Sequence, residues 1–323
     1  MASKKPYVLI IGSSNIDMNI YSERLPKKGE TVTGGTFKQF LGGKGANQAV
    51  ASVRSGSKTI FIAKIGDDSL GNKMISQFKK EGIIINHIIR DDMEASGVAF
   101  ILIDKNGENM ISVAPGANAK LNTDDIEKHK DIITNAAVLV VQMEIPIETI
   151  QKIFHIASEG DVLKILNPAP LKPIPRNLLS QIDIIVPNEG ELYKLHSLLK
   201  LKEITEAEDK KIIQASKNLA TLGIKTILTT LGNKGSLLYQ SEEDQIIKIP
   251  AYKVKAIDTV GAGDCFNGVL ASKLAQGENI INAVKYATAA SSIAVTRKGA
   301  QQSIPFAPEI QERYVKITHY KIK

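Results

Sequence analysis

The chain contains no tryptophan, one cysteine and few aromatic residues, 5% of 323. A lone cysteine, Cys265, cannot close an internal disulfide, which excludes a disulfide-stapled scaffold and suits a reducing compartment. No run of about 18 apolar residues occurs, so no transmembrane helix is expected. The apolar stretch at 7–11 is too short for a signal-peptide core and reads as a first strand, and a cytoplasmic location follows as an expectation. The five histidines, His87, His129, His155, His196 and His319, lack metal-ligand spacing and read as surface or packing residues. A net charge of +7 invites a nucleic-acid partner, but the lysines are scattered and stacking platforms are scarce. Neither nucleic acid nor membrane is an expected partner. The basic surface suits anionic nucleotides or solubility.

Two common nucleotide signatures are missing as well. No G-x-x-x-x-G-K-[ST] loop occurs, and Phe266 stands where a dinucleotide fingerprint starting at Gly261 would need its third glycine.

What is present is the material of one large α/β domain over 1–323, with 43% apolar and 23% charged residues. Near-continuous apolar strands at 59–65, 138–142, 162–166, 182–186 and 226–230 alternate with helices at 70–80, 147–158, 189–199 and 208–222. That alternation predicts a three-layer α/β/α fold with a central, mainly parallel sheet. A hairpin over 236–249 precedes helices at 265–275 and 280–296. Half-polar pairs at 18–22 with 31–39 and 98–104 with 109–114 predict a small accessory sheet built from insertions at about 16–40 and 96–115. Ligands of open α/β sheets bind beyond the carboxyl ends of the strands, so a sheet placed there would be a lid.

The most informative stretch is Asp258-Thr259-Val260-Gly261-Ala262-Gly263-Asp264, leading into a helix near Cys265. Its glycines allow close backbone approach, and the helix start offers unpaired N–H groups and a positive dipole end, which suit phosphate oxygens. Asp264 at that mouth could accept a proton from a hydroxyl; equally, aspartate is a favoured helix cap. Cys265 beside it reads as a packed side chain rather than a reactive thiol.

This stretch resembles the C-terminal signature of the ribokinase-type sugar kinases, and Gly42-Gly43-Lys44-Gly45-Ala46-Asn47 resembles their N-terminal one. Asn15-x-Asp17, Gly29-Glu30-Thr31, Gly66-Asp67-Asp68, Pro115-Gly116-Ala117-Asn118, Asn167-Pro168-Ala169-Pro170, Pro187-Asn188-Glu189 and the run from Ala294 to Ala300 follow in the family's order. The likeness therefore spans the chain, and several runs resemble the ribose-phosphorylating members most.

The resemblance implies ATP-dependent phosphorylation of D-ribose at its 5-hydroxyl, with Asp264 as base and Gly261, Ala262 and Gly263 as the anion hole. Asn15, Asp17, Gly43, Lys44, Gly45, Asn47 and Glu144 match sugar-contacting positions. Singly, these polar residues read as turn formers, helix starters or solvated carboxylates; jointly, at strand ends, they read as a site. Asn188, Thr230, Leu231, Gly232, Lys234 and Gly235, with Gly263, match nucleotide-contacting positions. Thr288 departs from the His or Asn usual near the adenine. Glu191 matches a residue that holds Mg²⁺ through water. Asp258, Val260, Ala294, Arg297, Gly299 and Ser303 match the family's monovalent cation site, usually K⁺, largely through carbonyls. A homodimer paired through the lids is implied too. A deoxyribokinase, fructokinase or adenosine kinase on the same scaffold is the near alternative. A non-catalytic sugar or nucleotide sensor is the distant one, and it should have lost the base or the phosphate loop.

Overall fold

Four-residue runs without a polar side chain, such as Val8–Ile11, bury every residue and so occupy the middle of a sheet. The computed structural model describes residues 6–207, 210–315 and 320–322. In it Thr59–Ile62, Val8–Ile11, Val138–Gln142, Leu163–Asn167, Ile184–Ile185 and Thr226–Thr230 pair in that order, all parallel. Ser236–Gln240, Gln245–Ile249 and Tyr320–Ile322 continue the sheet antiparallel.

Alternate residues of the central strands feed two separate cores. Val8 and Ile10 pack with Ala46, Ala49 and Val50 of the Lys44–Arg54 helix and with the Ala262–Ala275 and Ile280–Ala294 helices. Leu9 and Ile11 pack on the other face with the Ile147–Ala157, Glu189–Leu198 and Lys211–Ala220 helices. This is the three-layer architecture expected.

A second sheet orders Thr36–Gly42, Asn15–Tyr21, Gly97–Ile103 and Asn109–Ala114, with the first and last pairings antiparallel and the middle one parallel. Its strands come from the two expected insertions, with shifted bounds. The strand expected at 31–39 begins only at Thr36, because Gly34 sits at φ 88° and interrupts the extended chain. The strand expected at 18–22 starts at Asn15, so Asn15 and Asp17 lie on the sheet rather than in a turn.

Other boundaries moved for tertiary reasons. The 59–65 strand divides after Ile62, and Lys64–Gly66 turns away to pair with Ile89–Asp91. There Lys64 meets the carboxylates of Asp91 and Asp125, which a continued central strand could not offer. The 182–186 strand shrinks to Ile184–Ile185. Of the helix expected over 208–222, Lys211–Ala220 is observed, and 208–209 lie outside the described residues. No described helix is long and apolar enough to cross a membrane.

Candidate active site

The connections from Val8–Ile11 and from Val138–Gln142 diverge to opposite sides of the sheet, which opens a crevice at their carboxyl ends. Into it run Ser13, Ser14 and Asn15 after the first of these strands and Glu144 after the second. The Lys44–Arg54 helix closes down on them. Gly45 makes that approach possible, since a Cβ there would lie 2.7 Å from Gly12 and Ser13 backbone atoms. Gly43 caps the helix at φ 86°, and a Cβ on it would meet Ser14 and Asn15 backbone at 2.7 Å.

The residues that the sequence matched to sugar-contacting positions gather here. Glu144 Oε2 accepts from the Lys44 backbone N–H at 3.0 Å and from the Ser13 hydroxyl. Asn15 Oδ1 accepts from Asn118 Nδ2 at 2.8 Å, and Asn118 is itself locked by the Ser14 N–H and carbonyl at 2.8 and 3.0 Å. Asn15 thus presents a fixed amide. Asp17, half-buried, lies against Gly42, where a Cβ would come within 2.4 Å of its carboxylate.

From the other side comes the Ala262–Ala275 helix. Its cap is Gly261 at φ 74°, so Asp264 is the third helical residue and not the cap. The helix begins three residues before the expected 265. Asp264 is buried and accepts from Asn47 Nδ2 at 2.9 Å on Oδ2 and from Gln48 Nε2 at 3.1 Å on Oδ1. Gly261, Ala262 and Gly263 form the first turn, where N–H groups lack intrahelical acceptors, and Gly263 is exposed with open space about it. Cys265 is fully buried, and burial with the adjacent Asp264 pushes its thiol up to about 12, so it is a packed residue.

Charge is concentrated in this crevice. Burial pulls the Lys44 ammonium down, but the carboxylates of Asp264, Glu144, Glu191 and Asp17 outweigh it and hold the pKa above the ordinary lysine value. Burial raises Asp264 above the usual carboxylate range; Lys44, Asn47 and Gln48 oppose this, and Glu144 adds to it. Asp17 is pushed up to about 6 by burial, then by Glu144 and Asp264, against Lys44. A base with a raised pKa, facing helix N–H groups and a lysine, has the equipment to deprotonate an alcohol beside a bound phosphate.

The residues that the sequence matched to nucleotide-contacting positions lie along the next strand tips. Asn188 caps the Glu189–Leu198 helix, and its side chain and that of Glu191 cap each other reciprocally, both bonds at 2.8 Å. The sequence reading missed this box, whose Asn-x-x-Glu spacing announces it. It leaves Asn188 Nδ2 and one Glu191 oxygen free for other partners. Burial raises the Glu191 pKa, with Asp264 adding and the Asn188 N–H and Lys44 opposing. Thr230 pairs with Asn188 across the sheet. Leu231, Gly232 and Lys234 follow in a largely exposed turn, closed by the Leu231 N–H bonding the Gly235 carbonyl at 2.8 Å. Thr288 is buried in its helix, and its hydroxyl donates to the Val284 carbonyl at 2.8 Å.

Two loops meet beside Gly261. Asp258 accepts from the Val260 N–H at 3.0 Å and the Gly299 N–H at 2.9 Å, one on each oxygen. Ala294 takes the Arg297 N–H, Ser303 donates to the Ala300 carbonyl, and Arg297 ion-pairs with Glu309. No group of three or more His, Cys, Asp or Glu able to hold a metal occurs among the described residues. His87 and His129 stack edge to face, His196 bonds Asn218, His155 is exposed, and His319 lies outside the described residues.

The sequence reading also missed Ser13, Gln48 and Gln142. The last had a signal, a polar residue ending an otherwise apolar buried strand.

A three-layer fold with a carboxylate at a glycine-capped helix start and a polar crevice at the sheet's switch point defines a carbohydrate kinase. The chain belongs to the pfkB family of carbohydrate kinases, whose model matches residues 5–307. It is 40% identical to a Staphylococcus aureus ribokinase, over 94% of this chain and 98% of that one. A Salmonella typhi deoxyribokinase is 33% identical, over 94% and 97%. Among solved structures, Arabidopsis thaliana ribokinase complexed with ribose and ATP superposes with a TM-score of 0.87 at 31% identity, covering 96% of this chain and 99% of that one.

Proposed function

We propose that this chain transfers the terminal phosphoryl group of ATP to the 5-hydroxyl of D-ribose. The observation that carries the reading is the buried Asp264 carboxylate, held through both oxygens at the start of the Gly261-capped helix. As the sugar O5 attacks, its proton passes to Asp264, the O5–P bond forms, and the bond from phosphorus to the β–γ bridging oxygen breaks, releasing ADP. Gly261 and Gly263 would direct N–H groups at the transferring phosphoryl oxygens, with Ala262 between them, its N–H bonded to the Thr259 carbonyl at 3.2 Å. Asn15, Asp17, Lys44, Asn47 and Glu144 would hold the sugar hydroxyls. Asn188, Thr230 and the turn to Gly235 would hold the nucleotide.

Glu191, with one uncommitted carboxylate oxygen, fits a magnesium ion bound through water; the ion offsets phosphate charge. Asp258, the backbone of Val260, Ala294, Arg297 and Gly299, and Ser303 would hold K⁺. Each Asp258 oxygen accepts only one N–H, leaving lone pairs for a cation that would brace the Gly261 loop. The accessory sheet would close over the sugar as a lid hinged at Gly42 and Gly43. Phe37, Phe100, Met110, Ile111 and Val113 are exposed on it, which supports pairing of two lids in a homodimer. A buried free thiol fits a cytoplasmic setting.

An ADP-release assay against ribose, deoxyribose, fructose and adenosine, with K⁺ or Na⁺, tests the reading. Ribose should give the highest kcat/KM, and K⁺ should raise it. Preference for another acceptor would overturn the substrate assignment, and equal rates in Na⁺ the cation assignment.

A further inference from the structure

We propose that Gln48 is the positioning residue of the base, and that a chain of three buried amides sets which of its atoms faces Asp264. Gln48, Gln142 and Asn167 are each at most 7% exposed and touch one another across the tips of two adjacent strands. The chain begins at a group that cannot reverse. The Val186 carbonyl can only accept, so Asn167 must turn Nδ2 to it, at 3.1 Å. That turns Asn167 Oδ1 to Gln48, which must answer with Nε2, at 3.1 Å. The same Nε2 donates to Asp264 Oδ1 at 3.1 Å, while Gln48 Oε1 takes Gln142 Nε2 at 2.7 Å. With Gln142 ordered in this way, its Oε1 is left without a partner against Gly12, where a Cβ would stand 1.9 Å away.

Donors thus reach Asp264 from two successive residues of one helix. Asn47 is also placed to touch sugar, whereas Gln48 has its amide committed to the base and the chain. A reversed Gln48 would set Oε1 against the carboxylate and favour its protonated form. The charged groups that also act on Asp264 are Lys44, Glu144, Asp17 and Glu191, none of which belongs to this chain of amides.

The inference rests on Asp264 being the base, so the test runs Gln48→Glu, Gln142→Met and Asp264→Asn in parallel in the full-length protein. In Gln48→Glu, kcat at neutral pH should fall about tenfold or more, and the acid limb of kcat/KM should move up by about one pH unit, with ribose Kd within about threefold of the parent. Gln142→Met, which removes the bond to Gln48 without touching Asp264, should move the limb the same way by less, and it carries the test if Gln48→Glu does not fold. An acid limb that stays in place in a folded variant overturns the role of the amide chain. A purely structural role would lower Tm and leave the limb where it was. Near-parent turnover in Asp264→Asn would instead overturn the base assignment itself.

Discussion

Asn47 and Asp264, 217 positions apart in the chain, share a hydrogen bond of 2.9 Å between two helix starts that meet over one sheet edge. The bond ties the Lys44–Arg54 helix to the Ala262–Ala275 helix across the crevice. The Asp264 carboxylate is therefore held in place by the protein's own donors.

Removing that carboxylate's proton affinity should stop chemistry and spare binding. Asp264→Asn is expected to lower kcat by at least about 10²-fold while ribose Kd, measured by calorimetry, changes little.

Asp17 makes a pH prediction. Its folded pKa, about 6, exceeds the ordinary 3.8, so the ionised form burdens the ligand-free fold above about pH 6 and the burden lifts as pH falls toward 3.8. Asp17→Asn should therefore raise Tm at about pH 7.5 and give almost no gain near pH 4, while KM for ribose rises. An equal Tm gain at both pH values would contradict the assignment.

Gly43 has no room for a side chain and sits at φ 86°. Gly43→Ala should cost about 2 kcal/mol or more in urea unfolding and weaken ribose binding. Gly107, at a φ of 85° in an open turn, offers a control in which only the backbone term acts.

Arg54 joins three segments. It forks onto Glu81 at 2.8 and 2.6 Å and donates to the carbonyls of Gln301 and Ile304 at 2.8 and 2.7 Å. Because the pair is nearly buried, Arg54→Met should destabilise by about 3 kcal/mol, more than an exposed pair such as Lys105 with Glu23 would lose.

The sequence by itself determined the layered sheet and the glycine-rich loop that opens the Ala262–Ala275 helix. Strand-length apolar runs have one low-energy use, and Asp-Thr-Val-Gly-Ala-Gly-Asp combines glycine freedom with a helix start. Both signals are local, carried by residues adjacent in the chain. Tertiary structure decided the rest. Asp264's rank as third helical residue and the split after Ile62 depend on which partners arrive from distant segments, whereas the capping box of Asn188 and Glu191 is local and its spacing was there to be read. The amide chain through Gln48, Gln142 and Asn167 could not be read in advance, because buried glutamines take their direction from acceptors that only the folded backbone supplies.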